Sequence, residues 1–276
     1  MFGNNLYICR KLYNSTILRL YGMAKVISFA NHKGGVGKTT AVATIAGILA
    51  KRGKKVLLVD LDAQANLTKH LSQENFDVED AQTIFTAFRD KKLPIYTIEA
   101  PDSPSIDLVP STIYMARLDA VLATVRTARE HVLKKLLKPY LGEYDYILID
   151  CPPALGDVVV NAFTASDFVV VPMTTEVYSY YGIELLLASI DEVQENSNPD
   201  LKLAGLFYNK KDTRTNISKV IEATVGRMGL PIFKSSIRQD KNLREAPLTH
   251  QSAAYVAPDA RAVLDYEALV DEIEAL

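Results

Sequence analysis

The sequence predicts an α/β fold in which a mostly parallel β-sheet carries helices on both faces. Short apolar runs rich in Val, Ile and Leu alternate along the chain with longer segments whose apolar residues recur at helical spacing. The apolar runs are continuous, as in parallel strands that are buried on both faces. Because no Pro/Ser-rich linker interrupts this alternation, we expect a single domain.

Six apolar runs are predicted to be strands. In chain order they are residues 26–30, 56–59, 106–109, 146–149, 168–171 and 203–208. Eight segments between and after these runs are predicted to be helices. They are residues 39–52, 81–88, 113–122, 130–137, 158–165, 176–194, 217–228 and 259–275. Strands that alternate with helices favour parallel pairing, because parallel strands need crossover connections.

The composition is that of an ordinary globular protein. The chain has 276 residues, with 31 Lys and Arg against 33 Asp and Glu, which excludes disordered and fibrous classes. Cys9 and Cys151 lack a Cys or His partner at metal-ligand spacing and form no disulfide scaffold, so we expect a reducing cytoplasm. The longest uncharged apolar-rich run, 39–50, is shorter than the roughly 18 to 20 residues that span a bilayer.

The first 22 residues differ in character from the rest of the chain. They carry Arg10, Lys11 and Arg19 but no acidic residue, and they lack the apolar core and cleavage site of a signal peptide. We expect residues 1–22 to be a leader that is unstructured or a mis-assigned start. The folded domain is expected to comprise residues 23–276, beginning at Met23.

The segment between the first predicted strand and the first predicted helix reads NHKGGVGKTT, residues 31–40. Its glycines allow backbone N–H groups to turn toward phosphate oxygens, and the following helix adds its positive N-terminal dipole. We expect Lys38 to reach the β- and γ-phosphates and the Thr39 hydroxyl to ligate Mg²⁺. The predicted nucleotide-binding residues of this loop are Gly34, Gly35, Val36, Gly37, Lys38, Thr39 and Thr40.

Three carboxylates follow predicted strands. Asp60 and Asp62 are two residues apart and point to the same side of an extended strand end, where a carboxylate can orient or deprotonate a water aimed at the γ-phosphate. Asp60 is alternatively a structural or Mg²⁺-shell residue. Asp150 ends an apolar strand, where a carboxylate is unfavourable unless it serves a cation, so we predict Mg²⁺ binding through a water. Cys151 is expected to be a buried small residue.

The loop departs from the strict phosphate-loop pattern in one informative way. It has His32 where that pattern has glycine, and it contains a second lysine, Lys33. The resulting KGGVGKTT resembles the deviant Walker A motif of the ParA/MinD family of ATPases. Residues 59–68 look like the second motif of that family and residues 144–153 like its Walker B segment, within a resemblance that covers roughly 25–258.

The resemblance implies a P-loop NTPase fold and Mg²⁺-dependent hydrolysis of ATP to ADP and phosphate. It also implies a homodimer that forms on ATP binding, with Lys33 reaching the nucleotide held by the partner copy. The predicted catalytic residues are then Lys33, Lys38 and Asp62, of which Asp62 positions the attacking water. Thr39 and Asp150, the latter through a water, are the predicted Mg²⁺-binding residues.

Asn209 closes the last predicted strand at the edge where ligands bind in open α/β sheets. Its amide offers a donor and an acceptor, which suits the edge of adenine. The resemblance places a residue at this strand end, together with the loop around 244–247, beside the base. Asn209 is therefore a candidate ATP-binding residue, with a plain turn-forming Asn as the alternative.

The near-zero total charge hides a strong polarity along the chain. Residues 205–244 carry nine basic and three acidic side chains, and residues 245–276 carry one basic and seven acidic ones. A local basic field is typical of sequence-independent DNA binding through phosphates. The resemblance makes Arg214, Lys219, Arg238 and Lys241 the nearest matches to DNA-binding positions, although 238–242 departs from the usual spacing. A solvated basic face is the alternative.

Three functions compete. A ParA-like partition ATPase of a chromosome or plasmid would bind DNA non-specifically as an ATP dimer, associate with the nucleoid, and hydrolyse ATP when a ParB-like protein stimulates it. A MinD-like membrane ATPase would need a C-terminal amphipathic helix with a basic face, whereas this chain ends acidic, so we expect no stable membrane association. A nitrogenase-reductase-like ATPase would need dimer-bridging cysteine pairs, which the sequence lacks.

Overall fold

The computed structural model describes residues 22–72, 82–100, 102–176, 181–211 and 216–276. Within these ranges, seven strands form one sheet. They are β1 (Lys25–Phe29), β2 (Val56–Asp60), β3 (Tyr96–Ala100), β4 (Ser103–Val109), β5 (Tyr146–Asp150), β6 (Phe168–Met173) and β7 (Lys202–Tyr208). The strand order is β3-β4-β2-β5-β1-β6-β7, and every neighbouring pair is parallel except β3 with β4.

Helices connect these strands in chain order. They are α1 (Lys38–Lys51), α2 (Asn66–Leu71), α3 (Ile84–Asp90), α4 (Leu118–Ala123), α5 (Val132–Leu137), α6 (Asp157–Ala165), α7 (Tyr181–Asn196), α8 (Asn216–Gly226), α9 (Lys241–Glu245), α10 (Ala253–Val256) and α11 (Arg261–Glu274). Short 3₁₀ helices cover Ile113–Arg117, Arg129–His131, Lys138–Tyr140 and Ala246–Thr249.

Two apolar cores lie on opposite faces of the sheet. Alternate residues of β2 divide between them, with Leu57 and Val59 in one core and Val56 and Leu58 in the other. The first core is completed by α3 to α8, and the second by α1, α2 and α9 to α11, with α11 packed directly on α1. This confirms the predicted α/β class, with a mostly parallel sheet and helices on both faces.

The predicted strands are confirmed to within a few residues, but β3 was not predicted. Its residues alternate between half-buried and exposed, and it pairs antiparallel with β4 at the sheet edge, so it lacks a continuous apolar run. The short helices α2, α9 and α10 were also missed. The predicted helix 113–122 is instead a 3₁₀ turn followed by α4, and the predicted leader lies outside the described residues except for Gly22.

The topology brings the candidate residues to one edge. Phe29 and Asp60 are the register partners of Asp150 on the two strands that flank β5. The backbone N–H of Asn209, just after β7, donates to the carbonyl of Met173 at the end of β6. The carboxyl ends of five neighbouring strands therefore meet beside the loop that follows β1.

Candidate functional site

The loop between β1 and α1 has the backbone conformation that its glycines permit. Gly35 and Gly37 have φ values of 76° and 90°, in the region that favours glycine. Gly37 is the N-cap of α1, which has no side-chain cap and no acidic residue in its first turn. The N-terminus of α1 therefore presents backbone N–H groups and a positive dipole to an anion at the loop.

Lys38 is folded back into this loop. Its Nζ donates to the carbonyl oxygens of Asn31, at 3.2 Å, and Lys33, at 3.4 Å, and the residue is only 7% exposed. Burial lowers the pKa of Lys38, while the neighbouring Asp150 carboxylate acts to raise it. The Lys38 ammonium is thus held inside the loop, and its contact with the β- and γ-phosphates stays a prediction.

Lys33 lies at the surface of the loop. Its side chain forms an ion pair with Glu176, which follows β6, and both partners retain solvent exposure. The backbone N–H of Lys33 donates to Oδ1 of Asn31 at 2.9 Å, and Nδ2 of Asn31 donates to the carbonyl of Pro172 at 2.8 Å. Asn31 therefore anchors the start of the loop to β6, and the two loop lysines take different positions, one buried and one half-buried at the surface.

Asp150 and Thr39 meet beneath the loop. The Thr39 hydroxyl donates to Oδ2 of Asp150 at 2.7 Å, whereas Oδ1 is buried without a hydrogen-bond partner among the described residues. Burial raises the pKa of Asp150 well above its usual range, and repulsion from Asp60 raises it further. A buried carboxylate with an unsatisfied oxygen beside a hydroxyl fits Mg²⁺, which favours oxygen ligands and keeps bound waters.

Asp60 and Asp62 separate into two environments. Asp60 is fully buried and accepts hydrogen bonds from the Asp62 N–H and from both the N–H and hydroxyl of Thr68. Burial raises the pKa of Asp60 to about 6. Asp62 is half-buried, and its Oδ1 accepts from the Gln64 N–H at 3.0 Å. These contacts favour the structural alternative for Asp60 and leave Asp62 as the carboxylate at the solvent edge.

Asn209 contacts the phosphate loop itself. Its Nδ2 donates to the carbonyl of Val36 at 2.9 Å, and the residue is 2% exposed. The next residue, Lys210, donates from Nζ to the carbonyl of Gly35 at 2.7 Å. Two consecutive residues after β7 thus hold two consecutive loop carbonyls. The adenine role of Asn209 stays a prediction, and in this conformation its amide positions the loop.

The four DNA-binding candidates do not form one described cluster. Arg214 and the side chain of Lys219 lie outside the described residues, and Lys241 is exposed at the start of α9. Arg238 forms two hydrogen bonds of 2.7 Å with the Asp265 carboxylate of α11. The basic segment is therefore partly neutralised within the chain, which the charge sums along the sequence did not indicate.

Comparison with known proteins identifies the family. A family model described as an AAA domain matches residues 24–203. The chain is 38% identical over 254 residues to the sporulation initiation inhibitor protein Soj of Bacillus subtilis, covering 92% of this chain and 99% of Soj. It is 34% identical over 227 residues to the chromosome partitioning protein ParA of Myxococcus xanthus, covering 82% and 79% of the two chains. The chain belongs to the ParA/MinD family of P-loop ATPases.

Solved structures support membership of this ATPase family. Cobyrinic acid a,c-diamide synthase from Mycobacterium smegmatis, with bound ADP and magnesium, is 32% identical with a TM-score of 0.76, covering 90% of this chain and 93% of that one. Apo McdA from Cyanothece shares the fold at a TM-score of 0.78 and 23% identity, covering 91% and 99%. As a P-loop ATPase of this family, the chain uses ATP and Mg²⁺.

Three site residues were not predicted from the sequence. Glu176 pairs with Lys33, Thr68 binds Asp60, and Lys210 holds the Gly35 carbonyl. Glu176 and Lys210 both follow strands, so their positions at the carboxyl edge were available as a signal. Thr68 ends the segment 59–68 that resembles the second motif of the family, but its contact with Asp60 was missed because the short helix α2 was not predicted.

Proposed function

We propose that this ATPase is a ParA-like partition protein that segregates or positions DNA cargo of a chromosome or plasmid. ATP binding joins two copies in a sandwich dimer, the dimer binds DNA non-specifically on the nucleoid in the cytoplasm, and a ParB-like protein stimulates hydrolysis and release. The observation that carries the proposal is the pair of loop lysines, one buried and one at the surface. Similarity to the chromosome partitioning protein ParA of Myxococcus xanthus supports the partition role.

The contacts of the site support a division of labour in hydrolysis. Lys38 neutralises charge on the transferring phosphoryl group from within its own loop, and Lys33 does so from the partner copy. Asp62 orients the attacking water from the solvent edge. Thr39 and Asp150, the latter through a water, hold Mg²⁺, which supplies positive charge beside the phosphates when bound.

The membrane alternative is disfavoured by the last helix. In α11, beside Leu264, which is 50% exposed, six apolar residues are at most 1% exposed and belong to the core shared with α1. They are Ala262, Val263, Tyr266, Leu269, Val270 and Ile273. A helix that has already buried its apolar face in the protein cannot also insert it into a bilayer. Within the described ranges, every helix is too short or too polar to cross a membrane.

The test is co-sedimentation with plasmid DNA and, separately, with anionic liposomes, each with and without ATP and Mg²⁺. We expect ATP-dependent binding to DNA and none to liposomes. The variant Asp62→Ala should bind ATP and dimerise but stay on DNA, because the water is no longer oriented. The exposed Asp259→Ala change is a control that should release DNA normally. Liposome binding without DNA binding would favour the MinD-like alternative instead.

A further inference from the structure

A closed set of hydrogen bonds surrounds the backbone of Asp62. On one side, the Asp62 N–H donates to Oδ1 of Asp60 at 3.1 Å. The other oxygen of Asp60 accepts from the N–H and the hydroxyl of Thr68, at 2.9 and 2.8 Å. Because Thr68 lies in α2 and Asp60 at the end of β2, the Asp60 carboxylate fixes both ends of the turn that contains Asp62.

Ser111 closes this set from the neighbouring strand. It follows β4, and its N–H donates to the Thr68 hydroxyl oxygen at 2.9 Å. Its own hydroxyl donates to the carbonyl oxygen of Asp62 at 2.7 Å. The chain of bonds therefore starts at the N–H of Asp62, passes through Asp60, Thr68 and Ser111, and returns to the carbonyl of Asp62.

Burial makes this arrangement rigid. Asp60, Thr68 and Ser111 are all 0% exposed, so no water competes for their hydrogen bonds. The bonds to Asp60 also have a charged acceptor when it is ionised, which makes them stronger than bonds between neutral groups. Asp62 itself is only half-buried, and its Oδ1 accepts a hydrogen bond from the Gln64 N–H, while these bonds fix its backbone.

We propose that Thr68 and Ser111 are positioning residues for ATP hydrolysis, which hold the Asp62 backbone so that its carboxylate meets the attacking water. The proposal rests on the role proposed above for Asp62. A catalytic group displaced by about 1 Å loses up to about 100-fold in rate, so backbone anchoring on both sides of Asp62 has a direct kinetic effect. None of the hydrogen bonds in this set reaches the phosphate loop. Loss of these bonds should therefore lower the rate of hydrolysis without changing the affinity for ATP.

The test compares Thr68→Val, which keeps the side-chain shape but removes the hydroxyl, with Thr68→Ser, which keeps the hydroxyl. We expect Thr68→Val and Ser111→Ala to lower kcat by about ten-fold while KM for ATP stays within about two-fold. Thr68→Ser should retain kcat within about two-fold. Affinity for a fluorescent ATP analogue, measured directly, should be unchanged in all three variants.

Ser72→Ala is a matched control, because the buried Ser72 hydroxyl donates to the backbone carbonyl of Thr68 and reaches neither aspartate. It should keep wild-type kcat. Thermal unfolding checks that each variant is folded. If Thr68→Val does not fold, the kcat of Ser111→Ala alone tests the proposal. A normal kcat in Ser111→Ala overturns the proposal. It is also overturned if Thr68→Val loses ATP affinity and kcat in parallel and Thr68→Ser shows the same loss.

Asp62→Ala separates this proposal from the one on which it depends. If Asp62→Ala hydrolyses ATP at the wild-type rate, the proposed role of Asp62 fails and the positioning role fails with it. If Asp62→Ala is inactive while Thr68→Val and Ser111→Ala are fully active, only the positioning role fails. Loss of kcat in all three variants, with ATP affinity retained, supports both.

Discussion

Asn209 donates a 2.9 Å hydrogen bond from Nδ2 to the main-chain carbonyl of Val36, so the end of β7 is tied directly to the phosphate loop. The contact is close enough that a Cβ on Gly37 would lie 2.4 Å from the same nitrogen. Oδ1 of Asn209 in turn accepts from the Tyr266 hydroxyl of α11 at 3.4 Å. The loop conformation thus depends on residues far from it in the chain.

Asn209→Ala tests whether this amide positions the loop or reads the base. Removing the donor leaves the Val36 carbonyl unsatisfied, so we expect ATP and GTP affinities to fall together by about ten-fold, with an unchanged ratio. Isothermal titration calorimetry with both nucleotides measures this. The exposed Asn196→Ala change is the control. A loss confined to ATP would instead assign Asn209 to adenine.

The sequence was sufficient to predict the sheet and the phosphate loop, because both depend on local patterns. Continuous apolar runs identify parallel strands, and the glycine spacing fixes the loop conformation. The alternating edge strand β3 and the short helix α2 escaped prediction, since neither has an apolar run long enough to show its period. The role of Asp60 was left open between a structural one and the Mg²⁺ shell, because the contact with Thr68 that favours the structural role depends on the unpredicted helix α2.

Gly47 is the point of closest approach between α1 and the segment that precedes α11. A Cβ there would lie 2.2 Å from Oγ and 2.7 Å from Cβ of Ser252. Gly47→Ala should therefore lower the free energy of unfolding by about 1 to 3 kcal/mol through overpacking. Gly226→Ala is the matched control, because no atom lies within 4 Å of the added Cβ and alanine favours a helix. Urea unfolding measures the free energy of unfolding of both variants. Equal values for Gly47→Ala and Gly226→Ala would contradict the predicted overpacking.

The ion pair between Arg238 and Asp265 holds a candidate DNA-binding side chain. Asp265→Asn removes the negative charge from this pair, so ATP-dependent affinity for DNA should rise by about three-fold, with a salt dependence steeper by about one released ion. Asp271→Asn removes an equal charge from α11 at a pair with Arg52 and should change affinity less. Fluorescence anisotropy over a salt series measures both. Identical curves for the two variants would remove Arg238 from the DNA-binding set.

Pairs of this kind show what a charge count along the chain leaves out. The basic stretch 205–244 and the acidic end of the chain are opposite blocks in sequence, yet α11 packs beside the basic segment. Glu272 of α11 also accepts from the N–H groups of Lys234 and Ser235. Tertiary packing therefore pairs part of the charge of two adjacent blocks of opposite sign, which a charge sum over either block does not show.

His70 gives a pH dependence of stability with a definite sign. Burial lowers the pKa of His70 from 6.5 to about 4, and its Nε2 lies 3.1 Å from the carbonyl oxygen of Gln251. Between pH 6.5 and about pH 4, His70 is therefore neutral in the folded state and protonated in the unfolded chain. Its contribution to stability is intact above pH 6.5 and is lost as the pH falls toward 4, by up to about 3 kcal/mol.

The measurement is urea unfolding of the wild type and His70→Gln at about pH 7.5 and about pH 4.5. Glutamine keeps a donor for the Gln251 carbonyl but does not titrate in this range. We expect the wild type to lose more stability on acidification than His70→Gln does. His131→Gln, at a partly exposed position, is the control and should follow the wild type. Equal acid sensitivity of wild type and His70→Gln would contradict the prediction.

The first strand and the last helix meet at Lys25. Its Nζ donates to the carbonyl oxygens of Ile273 and Glu274, residues 248 and 249 positions away in the chain. The apolar side chains of α11 cover the same face of the sheet as Ile27 of β1 and Ile45 of α1. During synthesis the part of this face that α11 covers stays open to water until α11 has left the ribosome, so this core is completed late. A chain that stalls before residue 261 leaves this apolar surface to chaperones and proteases.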